Sequence, residues 1–217
     1  MGRDLKNFCE LMKSMNFIPS TIIDVGVCYG TPELYTAFPD AYLVLIEPLS
    51  SLETCLKKIL DKYSGEYHML ALSDAVGKMP LSISRSGIDG STLLDRVDAE
   101  KIDVQVSTLD DLFSSRFFGG PLLIKTDCQG FDLKVLRGRI SFISGVDVII
   151  VESNLFPANG DPCYGDLTDI VVFMKSCGFV VYDILGYYPR PYDGALGFVD
   201  LVFVKEAGFF RQHLKWN

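Results

Sequence analysis

Two acids and a lysine at the ends of two apolar runs are the residues of this chain best suited to do chemistry. Lys125 and Asp127 close the run 122–127, and Glu152 closes the run 146–152. Residues two apart on a strand share a face, so Lys125 and Asp127 should point the same way. Charges at the end of a buried strand are costly unless they are paired or used. The pattern predicts Asp127 and Glu152 together at the carboxyl edge of a sheet, where open α/β sheets bind ligands.

A turn containing two glycines is the second chemical signal, with the sequence Ile-Ile-Asp-Val-Gly-Val-Cys-Tyr-Gly over residues 22–30. A β-branched apolar run leads into it, and a helical pattern follows from Thr31. Gly26 permits a tight turn close to a ligand, and Gly30 lets the helix begin near the strand. We predict one half of a nucleotide-binding crevice, in which Asp24 accepts bonds from an ammonium or from loop N–H groups.

The spacing of the glycines bears on which nucleotide is bound. A dinucleotide-binding turn reads G-x-G-x-x-G, whereas this turn reads D-x-G-x-x-x-G with Cys28 in place of the second glycine. A side chain at position 28 hinders the close approach of a pyrophosphate. Glu47, about twenty residues further on, ends the next apolar strand and could accept both ribose hydroxyls, a device that dehydrogenases and methyltransferases share.

Hydrophobic periodicity predicts the elements that position these residues. The predicted helices cover residues 4–15, 32–38, 51–63, 108–112, 131–137 and 167–177. The predicted strands cover residues 21–25, 42–47, 66–72, 122–127, 146–152, 179–185 and 198–205. Segments 79–84 and 102–107 alternate apolar and polar residues, as a half-exposed hairpin does. No helix separates the last two strands, which indicates an antiparallel pair.

The order of these elements and of the motifs at their ends resembles the FkbM family of class I S-adenosylmethionine-dependent methyltransferases. The resemblance extends over about residues 21–152 and rests on stretches 23–26 (IDVG), 46–48 (IEP), 71–74 (ALSD), 108–110 (TLD), 124–130 (IKTDCQG) and 136–138 (LRG). It implies an α/β fold with a Rossmann-like, seven-stranded, mostly parallel sheet, helices on both faces and an antiparallel C-terminal hairpin. We expect a single domain over residues 1–217, with residues 1–18 as an N-terminal helical extension.

The resemblance also implies an activity and a cofactor site. The expected reaction is transfer of a methyl group from S-adenosylmethionine to a hydroxyl of a small molecule, sugar or glycolipid. The expected cofactor-binding residues are Asp24, Gly26, Val27, Cys28, Tyr29, Gly30, Glu47, Pro48, Leu72, Ser73, Asp74 and Asp127.

The expected catalytic residues are Asp127, Glu152 and Lys125. Either acid could take the hydroxyl proton, and Lys125 could orient or neutralise them. No metal is expected, but an alternative stays open in which Asp127, Glu152 and Asn154 supply oxygen ligands for magnesium. Which acid is the base, and whether a metal is required, are not decided by the sequence.

The chain departs from the family pattern in ways that bear on the acceptor. Gln129 stands where the family usually has glutamate, and Cys28 and Tyr29 replace small or amide residues of the first turn. A segment predicted as a loop carries Arg190 with three tyrosines and could stack on a sugar or an anionic acceptor. Those tyrosines are Tyr187, Tyr188 and Tyr192.

Composition restricts the partners. The net charge of −8 and pI of about 4.7 give no electrostatic footprint for nucleic acid, and no segment has the length of a membrane span. Six scattered cysteines without a Cys-x-x-Cys pair argue against zinc, and the N-terminus lacks a secretion signal. We therefore expect a cytoplasmic protein with a small-molecule or saccharide acceptor, and leave a homo-oligomer open.

Two other functions are compatible with the same motifs. The first is a nicotinamide-dependent oxidoreductase of Rossmann type, against which the missing third glycine counts. The second is a non-catalytic partner protein that binds S-adenosylmethionine without transferring its methyl group. Binding assays with each nucleotide would test the first alternative, and an acceptor assay would test the second.

Overall fold

The computed structural model describes residues 2–84, 87–97, 99–138, 142–157, 160–161 and 164–215, in which helices alternate with strands. The helices are α1 (Leu5–Ser14), α2 (Pro32–Ala37), α3 (Glu53–Leu60), α4 (Leu109–Phe113), α5 (Asp132–Arg137) and α6 (Leu167–Ser176). The strands are β1 (Thr21–Val25), β2 (Tyr42–Ile46), β3 (Gly65–His68), β4 (Ala71–Leu72), β5 (Gly77–Ile83), β6 (Glu100–Ser107), β7 (Leu122–Thr126), β8 (Val148–Asn154), β9 (Phe179–Pro189) and β10 (Leu196–Lys205).

Seven of these strands form one sheet in the order β3-β2-β1-β7-β8-β10-β9. The first five of that order run parallel, and β10 pairs antiparallel with both β8 and β9. The order reverses direction between β1 and β7, which is the switch point where open α/β sheets bind ligands. The predicted fold class is confirmed.

Helices cover both faces of the sheet because its central strands are apolar on both sides. On β1, Ile23 and Val25 pack in the cluster that includes residues of α4, α5 and α6. Ile22 points to the other face, where residues of α1, α2 and α3 form a second cluster. Phe8 and Met12 of α1 are fully buried there. This packing supports our proposal that the N-terminal helix belongs to the same domain.

The predicted strand 66–72 is wrong as a single element. Residues 65–68 pair with β2, but β2 ends at Ile46 and offers no further partner. Ala71 and Leu72 instead pair with Val106 and Ser107 in a separate sheet of order β4-β6-β5. The antiparallel pairing of β5 with β6 confirms the predicted hairpin. The break brings Ala71 and Leu72 beside the carboxyl ends of the main sheet.

The last two strands are longer than predicted. β9 continues to Pro189, and Tyr188 pairs with Phe198 of β10. Tyr187 and Tyr188 therefore lie in a strand and not in a loop, and Tyr192 alone of the three tyrosines lies in the turn. The pairing continues, with register shifts, as far as Leu196 and Pro189, and it satisfies backbone groups that a loop would leave to water.

The turn after β1 requires glycine at position 26. Gly26 has a φ of +77°, and a Cβ placed there would lie 2.0 Å from the carbonyl oxygen of Asp127. The loops that follow β1 and β7 are thus packed backbone against backbone. Side chains larger than hydrogen would have to push the two strand ends apart.

We predict that Gly26→Ala lowers the free energy of unfolding by roughly 3 kcal/mol, because it adds a backbone clash to left-handed strain. Gly178→Ala is the matched control, since Gly178 has a φ of +81° and a Cβ added there would meet nothing within 4 Å. The control should cost about 1 kcal/mol, the strain alone. Urea unfolding of both variants measures the difference, and equal losses would contradict the clash.

Candidate active site at the carboxyl edge

Charged side chains from three neighbouring strands meet at the carboxyl edge of the sheet. Thr126 pairs with Val151, so Asp127 and Glu152 follow side by side on β7 and β8. Glu152 in turn lies opposite Asp200 of β10. With Lys125 and Gln129, these three acids line one open depression. We call Lys125, Asp127, Gln129, Glu152 and Asp200 the edge cluster.

Hydrogen bonds fix most of the edge cluster. Lys125 donates from Nζ to Oδ2 of Asp127 at 3.2 Å. Gln129 donates from Nε2 both to Oδ1 of Asp127 at 2.9 Å and to Oε2 of Glu152 at 3.1 Å. The left-handed backbone of Gln129, with a φ of +54°, turns its side chain back toward the strand ends. A glutamate in this position would set three carboxylates together, so the departure from the family pattern has a physical consequence.

The two central acids have opposite protonation preferences. Burial raises the pKa of Glu152, and the nearby carboxylates of Asp127 and Asp132 raise it further. Burial also acts to raise the pKa of Asp127, but Lys125 and the hydrogen bonds from Glu152 and Gln129 outweigh it and lower that pKa. Glu152 therefore holds a proton that it shares with an ionised Asp127.

Lys125 is 8% exposed and remains charged. Burial lowers the pKa of its ammonium, but the carboxylates of Asp127, Asp24 and Asp200 raise it above its ordinary value. An ammonium in this position balances part of the negative charge of the edge cluster.

Sequence reasoning missed Asp200 and Phe198, the ring partner of Tyr188, which it had named as a possible acceptor-stacking residue. Burial raises the pKa of Asp200 to about 6. Tyr188 and Phe198 stack with ring centroids 4.3 Å apart and an interplanar angle of 10°, and both line the same depression. A signal was present, because Asp200 is the single acid within the apolar run 198–204. The stacked pair has none, since the sequence pattern predicts Tyr188 in a loop.

Two pockets meet at the switch point. The first, which we call the apolar pocket, is lined mainly by apolar side chains. Predicted residues Glu47, Pro48 and Leu72 line it. The second, the polar cleft, is lined by the edge cluster and by predicted residues Val27, Tyr29 and Gly30. Both are lined by Gly26, Cys28, Asp89 and Asp127.

Glu47 is held at the wall of the apolar pocket by backbone N–H groups. Its Oε2 accepts from the N–H of Cys28 and its Oε1 from the N–H of Leu49, each at 2.9 Å. Burial raises the pKa of Glu47 while these two bonds oppose the rise. Each carboxylate oxygen has a second acceptor position, so the group can still accept hydroxyls from a ligand.

Three predicted cofactor residues lie outside the linings of both pockets. Asp24 is fully buried under the glycine turn, where its Oδ2 accepts from Thr31 Oγ1 at 2.8 Å and from the Tyr35 hydroxyl. Its Oδ1 has no hydrogen-bond partner within the described ranges. Ser73 donates its N–H to Ser107, and Asp74 forms an ion pair with Lys134. Asp24 therefore supports the turn from below, and the other pair anchors the loop after β4.

Nothing in the arrangement favours the magnesium alternative. Across the described residues, no group of three or more His, Cys, Asp or Glu side chains is placed to hold a metal ion. Both oxygens of Asp127 and one oxygen of Glu152 already accept from an ammonium or an amide. Five cysteines are free thiols, and Cys163 lies outside the described residues.

The strand order defines a Rossmann-like α/β fold, and the two joined pockets lie at its switch point. The chain matches the Methyltransferase FkbM domain over residues 24–181, which is more than half of its length. It therefore belongs to the FkbM methyltransferase family, as the motifs predicted. Membership sets aside the nicotinamide-dependent alternative. No curated protein sequence matches the chain.

Solved structures agree on the fold. The magnesium protoporphyrin IX methyltransferase of Synechocystis PCC 6803, solved with bound S-adenosylmethionine, superposes with a TM-score of 0.51 at 10% identity, covering 93% of this chain and 76% of that one. Fibrillarin of Aeropyrum pernix, with natively bound S-adenosylmethionine, gives a TM-score of 0.50 at 12% identity, covering 92% of this chain and 74% of that one.

In the described part of this chain, no helix has the length and apolar character needed to cross a membrane.

The raised pKa of Glu152 predicts a pH-dependent gain from Glu152→Gln. The folded protein holds the Glu152 proton above the pH at which the unfolded chain releases it, so wild-type stability falls as pH rises from about 4.3 toward the folded pKa. Glutamine has no proton to lose and can keep both hydrogen bonds. We expect the variant to equal wild type at pH 4 and to exceed it by roughly 1–3 kcal/mol at pH 8.

Urea unfolding at the two pH values measures this difference. Glu206→Gln is the control, because Glu206 is exposed and pairs with Lys175 at the surface. Parallel pH dependence in wild type and Glu152→Gln would show that Glu152 is ionised in the folded protein.

Proposed function

We propose that this chain transfers the methyl group of S-adenosylmethionine to a hydroxyl oxygen of a small molecule, sugar or glycolipid. The observation that carries the proposal is the junction of the apolar pocket and the polar cleft at Gly26, Cys28, Asp89 and Asp127. A nucleoside in the pocket and an acceptor in the cleft would meet at that junction. The chemistry then requires in-line positioning more than activation, since a sulfonium is already a good leaving group.

The cofactor would lie across the junction. We place its adenosine in the apolar pocket, with the ribose hydroxyls on Glu47 and the base between Pro48 and Leu72, which line that pocket. Its methionine end would follow the turn over residues 26–30, which lines the cleft and in which Cys28 is left-handed with a φ of +49°. Asp24, Ser73 and Asp74 would contribute by holding the turns from behind.

The walls of the polar cleft suit a hydroxylated acceptor. Carboxylate and amide groups accept and donate the bonds that hydroxyls make, and the stacked pair of Tyr188 and Phe198 offers an apolar surface for a ring. We propose Asp127, Glu152 and Lys125 as catalytic residues that contact the acceptor hydroxyl and the methionine end. Net acidity of the cleft supports a neutral acceptor over an anionic one.

The assignment of Glu47 to the ribose predicts that Glu47→Ala weakens S-adenosylhomocysteine binding by roughly 1–3 kcal/mol, because two ligand hydroxyls lose their acceptor. Titration calorimetry measures the effect, with circular dichroism to show that the variant is folded. Glu53→Ala removes a similar carboxylate from the neighbouring helix α3, outside both pockets, and should bind normally. Unchanged affinity in folded Glu47→Ala would remove Glu47 from the site.

The catalytic assignment predicts that Asp127→Asn lowers methyl transfer by about 10²-fold, as expected when a positioning contact is lost, while cofactor binding changes little. The assay uses S-adenosylmethionine labelled in its methyl group and a panel of methyl glycosides, with product analysis by mass spectrometry and NMR. Asp103→Asn, an exposed acid on β6, is the control. Normal turnover in Asp127→Asn would make Asp127 structural.

The same assay tests the proposed function itself. A methyl group found on an acceptor oxygen supports it, whereas a methyl group on nitrogen or carbon would replace it with another transfer reaction. Tight cofactor binding without transfer to any member of the panel would favour the non-catalytic partner protein.

A further inference from the structure

We propose that Asp200 is the general base of this methyltransferase, accepting the proton that the acceptor hydroxyl loses as its oxygen is methylated. The inference rests on the proposed O-methyl transfer and names the group that the sequence left undecided between Asp127 and Glu152. Three observations carry it: the position of Asp200, its free oxygens, and the charges around it.

The first observation is that Asp200 lies beside the proposed reacting groups. It lies directly opposite Glu152 in the antiparallel register of β8 and β10, so the two side chains share a face of the sheet. It lines the polar cleft together with Asp127 and with the ring pair Tyr188 and Phe198. An acceptor ring on that pair would bring its hydroxyl between Asp200 and the junction of the two pockets.

The oxygens of Asp200 are free where those of the other two acids are committed. Asp127 accepts from Lys125 on one oxygen and from Gln129 on the other, and Glu152 also accepts from Gln129. Among the described residues, none donates a hydrogen bond to Asp200. A carboxylate that already accepts strong donors is a weak base, so Asp200 is the acid best able to accept a substrate proton.

The surroundings of Asp200 also suit proton transfer. Lys125 of β7 favours its ionised form, whereas burial, the largest influence, and Asp127 disfavour it, leaving a pKa of about 6. Glu152 faces it from β8, Tyr188 from β9, and Asp89 lines the same cleft. The group is thus ionised at neutral pH yet close to the value at which a base both is deprotonated and binds a proton well.

The step balances with these groups alone. The acceptor oxygen forms a bond to the methyl carbon while the carbon–sulfur bond breaks, and that electron pair stays on sulfur. The hydroxyl proton moves to a carboxylate oxygen of Asp200. The products are a methyl ether, S-adenosylhomocysteine and a protonated Asp200, which returns its proton to water in the open cleft.

The first test needs no acceptor. Wild-type protein labelled with carboxyl-¹³C aspartate and saturated with S-adenosylhomocysteine is titrated by NMR, and the Asp200 signal is identified by its loss in Asp200→Asn. We expect that signal to titrate with a midpoint near pH 6. A midpoint below that of an ordinary aspartate would overturn the proposal, because such a carboxylate would be as weak a base as Asp127.

The second test uses whichever methyl glycoside is turned over. Asp200→Asn should lower kcat by roughly 10²–10⁴-fold with little change in KM and should abolish the acid limb of the pH profile. Asp127→Asn should keep that limb, Asp200→Glu should recover part of the rate, and Asp103→Asn should behave as wild type. Near-normal kcat in Asp200→Asn, or a rise in KM alone, would overturn the assignment.

These outcomes distinguish a failure of the Asp200 assignment from a failure of the proposed function. An O-methylated product with an unchanged acid limb in Asp200→Asn refutes Asp200 while the proposed function stands. A methyl group on nitrogen or carbon refutes the proposed function, whatever Asp200 does. If no glycoside is methylated, the NMR midpoint decides for or against Asp200 as the free, proton-accepting acid of the cleft.

Discussion

The close approach of two backbone turns is the constraint on which the site depends. The turn after β1 passes so near the carbonyl of Asp127 that only glycine fits at position 26. At this contact the ends of β1 and β7 lie side by side. The residues there line both the apolar pocket and the polar cleft. Cys28 and Gln129, in the turns after β1 and β7, both have a left-handed backbone. This part of the two linings is thus built from main chain, which moves less than long side chains do.

Electrostatics at this edge depend on Gln129. An amide can satisfy one ionised and one protonated acid at once, because it carries two hydrogens on a single nitrogen and no charge. The charge left on the central pair is then one, balanced by buried Lys125. Asp200 takes no part in these hydrogen bonds, so its oxygens are available to a ligand. The family's usual glutamate at this position would redistribute the protons of every acid in the cluster, so the acceptors and pH behaviour of this chain need not follow those of its relatives.

Much of this could be predicted from local sequence. The strands around the switch point are short apolar runs with acids or glycines at their ends, and such runs identify both the element and its carboxyl edge. The break at residues 69–70 could not be predicted, because Ala71 and Leu72 change partner only where β2 ends, which is a tertiary event. The position of Asp200 at the site could not be predicted for a related reason. Its place beside Glu152 comes from an antiparallel register between strands about fifty residues apart in the chain.

The edge cluster lowers the stability of the fold, and this loss of stability is an argument about its function. Burial and neighbouring carboxylates raise the pKa values of Glu152 and Asp200 above their ordinary range, so deprotonation of these acids costs the folded state stability as the pH rises. Apolar residues at these strand ends would avoid that cost, as they do at the buried opposite ends of β8 and β10, where Val148 pairs with Val204. Lys125, Glu152 and Asp200 lie instead at the edge that lines the polar cleft, where a ligand can use them. Such concentration of perturbed acids is typical of catalytic sites, and here it coincides with the switch point that the topology fixes independently.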